Sequence, residues 1–315
     1  MLMLAAALAT AGCLAGKKDE AGTAAKNMVF LIPAGPGGGN DLTVRALIPG
    51  MQQALGVDIV AENKPAGKGA VAAAEVMNAK PEDNKLYFNS QSLLLMPYGG
   101  MPDVRLEKFQ PLAQVVEDMG SVVVRYDAPF NSLADFIAYA KGGRGEKIPV
   151  AHNGVGGIWH LAAIRFAQAT GIEFRYTAYT IGGRQMLSAL VDGEVDVCII
   201  SPSESKPLID GRKVKVLAVM SEKRHTVVPD VPTCREVGVD SVFNVWRGVF
   251  TTAGVSAERI RVLEAAVQKA VETEEFQSFA RNNGLPVKFR GHEEFEAFVY
   301  QQRDLYATLF GAVDK

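Results

Sequence analysis

Residues 28–51 have the pattern of a strand, a glycine turn and a helix in succession. An apolar run predicts the strand, Pro33 ends it, and apolar residues at helical spacing resume at Leu42. The three consecutive residues Gly37–Gly39 remove every Cβ atom from one patch of backbone, so a ligand can approach the N–H groups closely. Since a helix start favours negative charge, the stretch predicts an anion-binding turn.

Two interpretations of Asp41 stay open. Asn40 and Asp41 each suit the N-cap of the helix, because a short polar side chain can accept a hydrogen bond from the first turn. Asp41 would otherwise be part of the binding turn itself.

A second unit of the same kind follows. Residues 57–61 predict a strand, residues 64–69 a glycine turn and residues 70–79 a helix. In a parallel sheet both turns lie at the carboxyl ends of their strands, where open α/β sheets bind ligands. A third short strand, 86–88, ends in a polar stretch that includes Ser90 and would reach the same edge.

The pattern changes near residue 108 and then repeats. Two strands and a helix with Ser132 as its N-cap and Asp135 at its fourth position indicate entry into a second domain. The strands at 148–151 and 174–178 are again each followed by a glycine turn and a helix. Glycine turns at helix starts in two domains suit the binding of an anion in a cleft.

Composition excludes several functional classes. The 315 residues are 48% hydrophobic and 22% charged, as in a soluble two-domain protein, and a net charge of −2 gives no electrostatic footprint for nucleic acid. The three cysteines are far apart, and the four histidines show no metal-ligand spacing. His160 is either a base or a residue that packs at a helix start. We expect no metal and no cofactor.

The N-terminus resembles a bacterial lipoprotein signal peptide. An apolar run ends in small residues before Cys13, which implies lipidation of that cysteine and places residues 1–26 outside the fold as signal and tether. No Lys or Arg precedes the run, and Thr10 stands where leucine is usual. A truncated start and an incidental Cys13 therefore remain alternatives. The run is too short to span a bilayer as a helix.

The alternative from a different class is a nucleotide-dependent enzyme with a Rossmann-like N-terminal domain. Gly35 and Gly37 open a partial G-x-G-x-x-G motif, and Glu62 ends the second strand near where a ribose-binding acid would lie. Against this alternative, Asn40 occupies the sixth position of the motif, where glycine is expected. The second strand also has a glycine turn of its own, which a Rossmann-like domain does not require.

The order of the motifs resembles the Bug-type extracytoplasmic solute-binding proteins that serve tripartite tricarboxylate transporters. The resemblance covers residues 27–315. Its motifs are Pro33-x-x-Pro36-Gly-Gly-Gly-x-Asp41, Glu62-Asn-Lys-Pro65, Asn153-Gly-x-Gly-Gly-x-Trp-His-Leu161, Tyr179 with Gly182-Gly183, Asp192-Gly-x-Val-Asp196, Pro229-Asp-Val-Pro-Thr233 and Trp246-Arg-Gly248. The Trp159-His160 and Trp246-Arg247-Gly248 forms are most similar to the tricarboxylate-binding branch.

The resemblance implies an α/β, two-lobed periplasmic binding protein fold of type II, each lobe a mixed sheet flanked by helices. Residues 27–107 and 222–315 would form lobe one, and residues 108–221 lobe two. It also implies a non-enzymatic receptor, without cofactor, that captures a small carboxylate by hinge closure and delivers it to a membrane permease. We expect a monomer that contacts the membrane only through the lipid anchor.

The resemblance also assigns the binding residues by position. Those of lobe one would be Pro36, Gly37, Gly38, Gly39, Asn40, Asp41, Ala66, Gly67, Lys68 and Gly69, beside Ser90. Those of lobe two would be Asn153, Gly156, Gly157, Tyr179, Thr180, Gly182 and Gly183. Two departures leave the ligand open: Lys68 replaces a small residue, and Asn153 stands where serine is common. Lys68 would either pair with an extra ligand carboxylate or point to water.

Overall fold

The structure is a computed structural model, and it describes residues 27–101, 103–142, 147–179 and 182–313. The predicted signal segment with Cys13, and Thr180, lie outside the described residues. The strands are β1 (Met28–Ile32), β2 (Ile59–Asn63), β3 (Lys85–Ser90), β4 (Phe109–Met119), β5 (Ser121–Arg125), β6 (Ile148–His152), β7 (Phe174–Ala178), β8 (Val197–Ile200), β9 (Val214–Val219), β10 (Asn244–Thr252) and β11 (Val287–Arg290).

Helices connect most of these strands. They are α1 (Gly39–Leu55), α2 (Ala70–Asn78), α3 (Ser92–Leu95), α4 (Leu133–Lys141), α5 (Ile158–Thr170), α6 (Gly183–Val191), α7 (Pro202–Asp210), α8 (Ala257–Glu272), α9 (Glu274–Asn282) and α10 (His292–Val313). Short 3₁₀ helices lie at Ala66–Gly69, Pro81–Asp83, Leu106–Lys108 and Arg235–Val237. No described helix is both long and apolar enough to cross a membrane.

The strands form two mixed sheets, which confirms the predicted α/β class. The first has the order β11-β4-β10-β3-β1-β2, and the second β7-β6-β8-β5-β9. In the first sheet β1 runs parallel to β2 and β3, and in the second β6 runs parallel to β7 and β8. The four predicted glycine turns follow β1, β2, β6 and β7, so each pair lies at the carboxyl edge of its sheet.

The chain passes between the sheets at Gly120 and returns near Phe243. Gly120 donates to the Phe243 carbonyl at 2.9 Å, and Met220 and Phe243 donate to the carbonyls of Gly120 and Met220 at 2.8 Å each. These bonds hold the crossing segments side by side. A Cβ atom on Gly120 would lie 3.1 Å from Met220 Sδ, so a larger residue there would require the Met220 side chain to shift.

The division into lobes at 27–107, 108–221 and 222–315 remains a prediction. Sheet pairing favours a boundary between lobe one and lobe two that lies after β4. Strand β4 pairs with β10 and β11 in the first sheet, and β5 is the first strand along the chain to join the second sheet. The apolar run at 111–116 is therefore part of the sheet formed by both ends of the chain. The sequence pattern marked the end of the first strand–helix units, whereas the pairing depends on β10, more than a hundred residues away.

Local signals located most helix starts. Ser132 and Asp135 form the predicted capping box of α4, and Ser256 accepts from the Arg259 N–H at the start of α8. The prediction of Asn40 or Asp41 as N-cap of α1 is wrong, because Gly38 holds that position. Helix α7 was not predicted: Pro202 begins it and Ser201 caps it by accepting from the Glu204 N–H.

Candidate functional site

Turn 1, residues 33–38, is held by a buried carboxylate. Asp41 is only 2% exposed and accepts hydrogen bonds from the Gly37 N–H at 2.8 Å, Arg45 Nε at 2.9 Å and Asn63 Nδ2 at 2.9 Å. Burial raises the pKa of Asp41, but the bonds from Arg45, Gly37 and Asn63 outweigh it and lower the pKa. Asp41 therefore holds the turn in place from the buried side, whereas Pro36–Asn40 are accessible or half-buried.

Turn 2, residues 64–69, lies against turn 1. A Cβ atom on Gly69 would lie 2.6 Å from Pro33 Cβ, and Asn63 Nδ2 donates to the Ala34 carbonyl at 3.0 Å. The backbone is left-handed at Gly67, Lys68 and Gly69, with φ values of 60°, 56° and 90°. Lys68 is exposed. The fold thus brings the predicted lobe-one residues together at one edge of the sheet.

Turn 3, residues 153–157, is closed by the side chain of Asn153 and by that of His160 in the following helix. Asn153 Oδ1 accepts from the Trp159 N–H at 3.1 Å, and its carboxamide occupies the space that a Cβ atom on Gly157 would need. His160 Nδ1 accepts from the Gly156 N–H at 3.2 Å. Of the two interpretations of His160, this contact favours packing at the helix start. Burial, with His152 at 4.5 Å between ring centroids, lowers the pKa of His160 to about 4 and keeps Nδ1 an acceptor.

Turn 4 joins β7 to α6, with Tyr179 at its start and Gly182 at its end. The Tyr179 hydroxyl donates to Glu194 Oε2 at 2.8 Å, and burial together with Glu194 raises the pKa of Tyr179 to about 12. That hydroxyl is thus engaged within lobe two. Gly182 has φ 114° and forms the N-cap of α6, and Gly183 lies directly against the Glu204 carboxylate.

Two charged residues that were not predicted connect the turns of the two sheets. Arg247, on β10, pairs in register with Ser90 on β3, and its guanidinium lies 3.4–3.8 Å from the position of a Cβ atom on Gly39. Its Nη2 lies 3.8 Å from Glu204 Oε1 on α7. Contacts therefore run from Gly39 at the start of α1 through Arg247 and Glu204 to Gly183 at the start of α6. An arginine inside an otherwise buried strand was the signal available in the sequence.

The helices that follow the four turns have a different kind of N-cap residue from the other capped helices. Gly38, Gly69, Gly157 and Gly182 are the N-cap residues of the helices that follow the four turns, and glycine has no side chain with which to cap. Serine or threonine side chains cap α4, α7, α8 and α9 instead. Because the first N–H groups of a helix have no intrahelical acceptor, a glycine start leaves donors for an external anion unless a neighbouring side chain accepts from them, as Asn153 does from the Trp159 N–H of α5.

Two mixed sheets, joined by crossing segments and carrying glycine turns at their carboxyl edges, define a two-lobed periplasmic solute-binding protein. The chain belongs to the tripartite tricarboxylate transporter receptor family: the sequence profile described as "Tripartite tricarboxylate transporter family receptor" matches residues 43–310. The predicted family is thereby confirmed, and similar solved structures of solute-binding proteins confirm the predicted two-lobed α/β fold. The tricarboxylate branch stays a prediction.

Individual relatives agree with this assignment. A UPF0065 protein of Bordetella pertussis is 30% identical over 277 residues, which are 87% of this chain and 85% of that protein. The crystal structure of a TctC solute-binding protein from Polaromonas shares 30% identity and a TM-score of 0.77, covering 91% of this chain and 98% of that one. MatC from Rhodopseudomonas palustris, solved with bound malate, shares 26% identity and a TM-score of 0.71, covering 83% and 90%.

The role of Asp41 is testable by substitution. Asp41→Ala would leave the Gly37 N–H, Arg45 and Asn63 without their shared acceptor, so we expect the free energy of unfolding in urea to fall by about 1–3 kcal/mol. Asp58→Ala, at an exposed aspartate, is the matched control and should change little. Undiminished stability combined with lost ligand binding would show instead that Asp41 contacts the ligand.

Proposed function

We propose that the protein is an extracytoplasmic receptor that captures a small di- or tricarboxylate, such as citrate, and delivers it to the membrane permease of its transporter. One observation carries the proposal: a glycine helix start from each sheet lies on either side of Arg247 and Glu204, Gly39 against the first and Gly183 against the second. Bound malate in MatC, which is 26% identical to this chain, supports a carboxylate ligand.

Hinge closure would supply the affinity. Backbone N–H groups and helix N-termini attract an anion, and closure excludes water and so strengthens these contacts. Lobe-two groups would meet the ligand only in the closed state, which makes closure ligand-dependent. The crossing segments at Gly120 and Phe243 would act as the hinge, because the chain passes from one sheet to the other there.

The finer assignments belong to the same proposal. The tricarboxylate branch rests on the Trp159-His160 and Trp246-Arg247-Gly248 sequences. In the structure His160 supports turn 3, and Trp246 is buried against Phe295 at 5.5 Å between ring centroids. These two residues therefore have structural roles, and neither indicates a particular ligand. A non-enzymatic monomer, located outside the cytoplasm and tethered through Cys13, completes the proposal.

A thermal-shift screen tests the function. A ligand that binds only the folded state raises the melting temperature by mass action, so millimolar mono-, di- and tricarboxylates, amino acids and NAD(P) can be compared. We expect a shift with di- or tricarboxylates. A shift with NAD(P) and none with any acid would establish the nucleotide-dependent enzyme instead.

Gly38→Val tests the binding turn. The φ of Gly38 is −78°, and a Cβ atom there would lie 3.4 Å from the Gly35 carbonyl, so the fold can accept a side chain. We expect the melting temperature to stay near that of the wild type while the isopropyl group blocks the N–H groups and abolishes carboxylate binding in calorimetry. Gly38→Ala should lose part of the affinity. Normal affinity in the valine variant would remove turn 1 from the site.

Lys68→Ala separates the two interpretations of that lysine. If the ammonium meets an extra ligand carboxylate, the variant should bind tricarboxylates several-fold more weakly and monocarboxylates unchanged, because only the former bring the additional charge. Lys80→Ala, at another exposed lysine, is the matched control. Equal losses for both ligand classes, or none, would assign Lys68 to the solvent.

A further inference from the structure

Arg247 is a buried cation with unused hydrogen-bonding capacity. Its side chain is 9% exposed, and Nη1 is buried without a hydrogen-bond partner in the part of the chain that the structure describes. A buried donor of a charged group without an acceptor is costly. The guanidinium also lies beside the N-terminus of α1, whose dipole is positive at that end. The guanidinium and the N-terminus of α1 thus both contribute positive potential at the same place.

Glu204 neutralises this charge only in part. Its Oε1 lies 3.8 Å from Arg247 Nη2, which is an ion pair but beyond hydrogen-bonding distance. The carboxylate also lies against Gly183, and its side chain is 31% exposed. An arginine that served only to pair with Glu204 would form the short bidentate contact that its planar geometry allows. The loose contact leaves guanidinium donors that Glu204 does not use.

We propose that Arg247 binds a carboxylate of the ligand through Nη1 and that Glu204 is an internal counter-ion, which takes up a proton when the ligand carboxylate arrives. The inference rests on the proposed function and deepens it. It assigns a direct side-chain cation to a site otherwise built from backbone N–H groups. Two carboxylates beside one guanidinium repel each other, so a shared proton lowers the free energy of the complex.

The surroundings of Glu204 favour such a proton. Arg247 faces it from β10, the Trp159 indole from α5 and the charge of Asp118 from β4. His225 Nε2 lies 3.2 Å from Asp118 Oδ1, and His225 Nδ1 accepts from the Val227 N–H, so Nε2 carries the proton and donates to Asp118. Although 31% of the Glu204 side chain is exposed, desolvation of its carboxylate among these groups raises its pKa to about 7. Asp118 adds to the rise, and Arg247 and Trp159 oppose it.

The sign of the pH dependence follows. Below this pKa Glu204 is neutral and Arg247 is free for the ligand. As pH rises through it, ionised Glu204 competes for Arg247 and repels the ligand, so affinity falls. A ligand carboxylate raises the pKa of Glu204 further, and binding therefore takes up protons near neutral pH. Malate, which has two carboxylates, is ionised at both between pH 7 and 9 and contributes no such trend.

Calorimetry with malate as the probe, at pH 7, 8 and 9 in buffers of different ionisation enthalpy, tests the proposal. We expect wild-type affinity to fall at least about tenfold over this range, since the protonated fraction of a group with a pKa near 7 falls more steeply than that. We also expect the wild type to take up protons on binding. Glu204→Gln should bind more tightly than the wild type at pH 9, with a flat pH profile and no uptake. Glu236→Gln, in the exposed ion pair with Arg224, is the matched control and should behave as wild type.

Arg247 variants complete the test. Arg247→Gln should lose more than about tenfold in affinity at every pH, and Arg247→Lys should recover part of it, because the ammonium keeps the charge without the planar fork. Thermal unfolding shows whether each variant is folded. Malate binding that is pH-independent, or weaker in Glu204→Gln, would overturn the inference and leave the proposed function intact. Should no acid in the thermal-shift screen bind the wild type, both would fall.

Discussion

Helix N-termini that begin at glycine are the constraint on which the site depends. Parallel strands place the turns after β1 and β2 on one edge and those after β6 and β7 on the edge of the other sheet. Any serine at these helix starts would cap the helix by itself, as Ser256 does for α8. A glycine start provides no such acceptor. In α5 the Asn153 side chain accepts from the Trp159 N–H, and at the other glycine starts the N–H groups can bind an outside anion.

Side-chain hydrogen bonds hold two of these turns in shape. Asp41 connects turn 1 to Arg45 and to Asn63 at the end of β2, and Asn153 with His160 performs the same task in turn 3. In each case a side chain of the turn or of its helix accepts a bond from a backbone N–H nearby. Preorganised backbone donors cost little to arrange when the ligand arrives, which is why glycine-rich turns can form a specific site.

Strand β10 connects the core to the cleft. Successive side chains of a strand point to opposite faces. Trp246 is therefore buried against Phe295, Arg247 reaches Gly39 and Glu204, and Gly248 permits close packing, since its Cβ atom would lie 2.8 Å from the Ala113 carbonyl. Of these three consecutive residues, Trp246 packs in the aromatic core, Arg247 forms the ion pair with Glu204, and Gly248 lets the strands pack closely.

The sequence by itself determined the elements whose causes are local: the strand–turn–helix units, the caps at Ser132 and Ser256, and the final helices, because periodicity and capping act over a few residues. Only the tertiary structure decided that β4 joins the first sheet, that Asp41 is a buried support rather than a cap, and that Arg247 meets Glu204. These features depend on pairing between residues far apart in the chain, and no local pattern specifies which distant partner a strand or a charge will find.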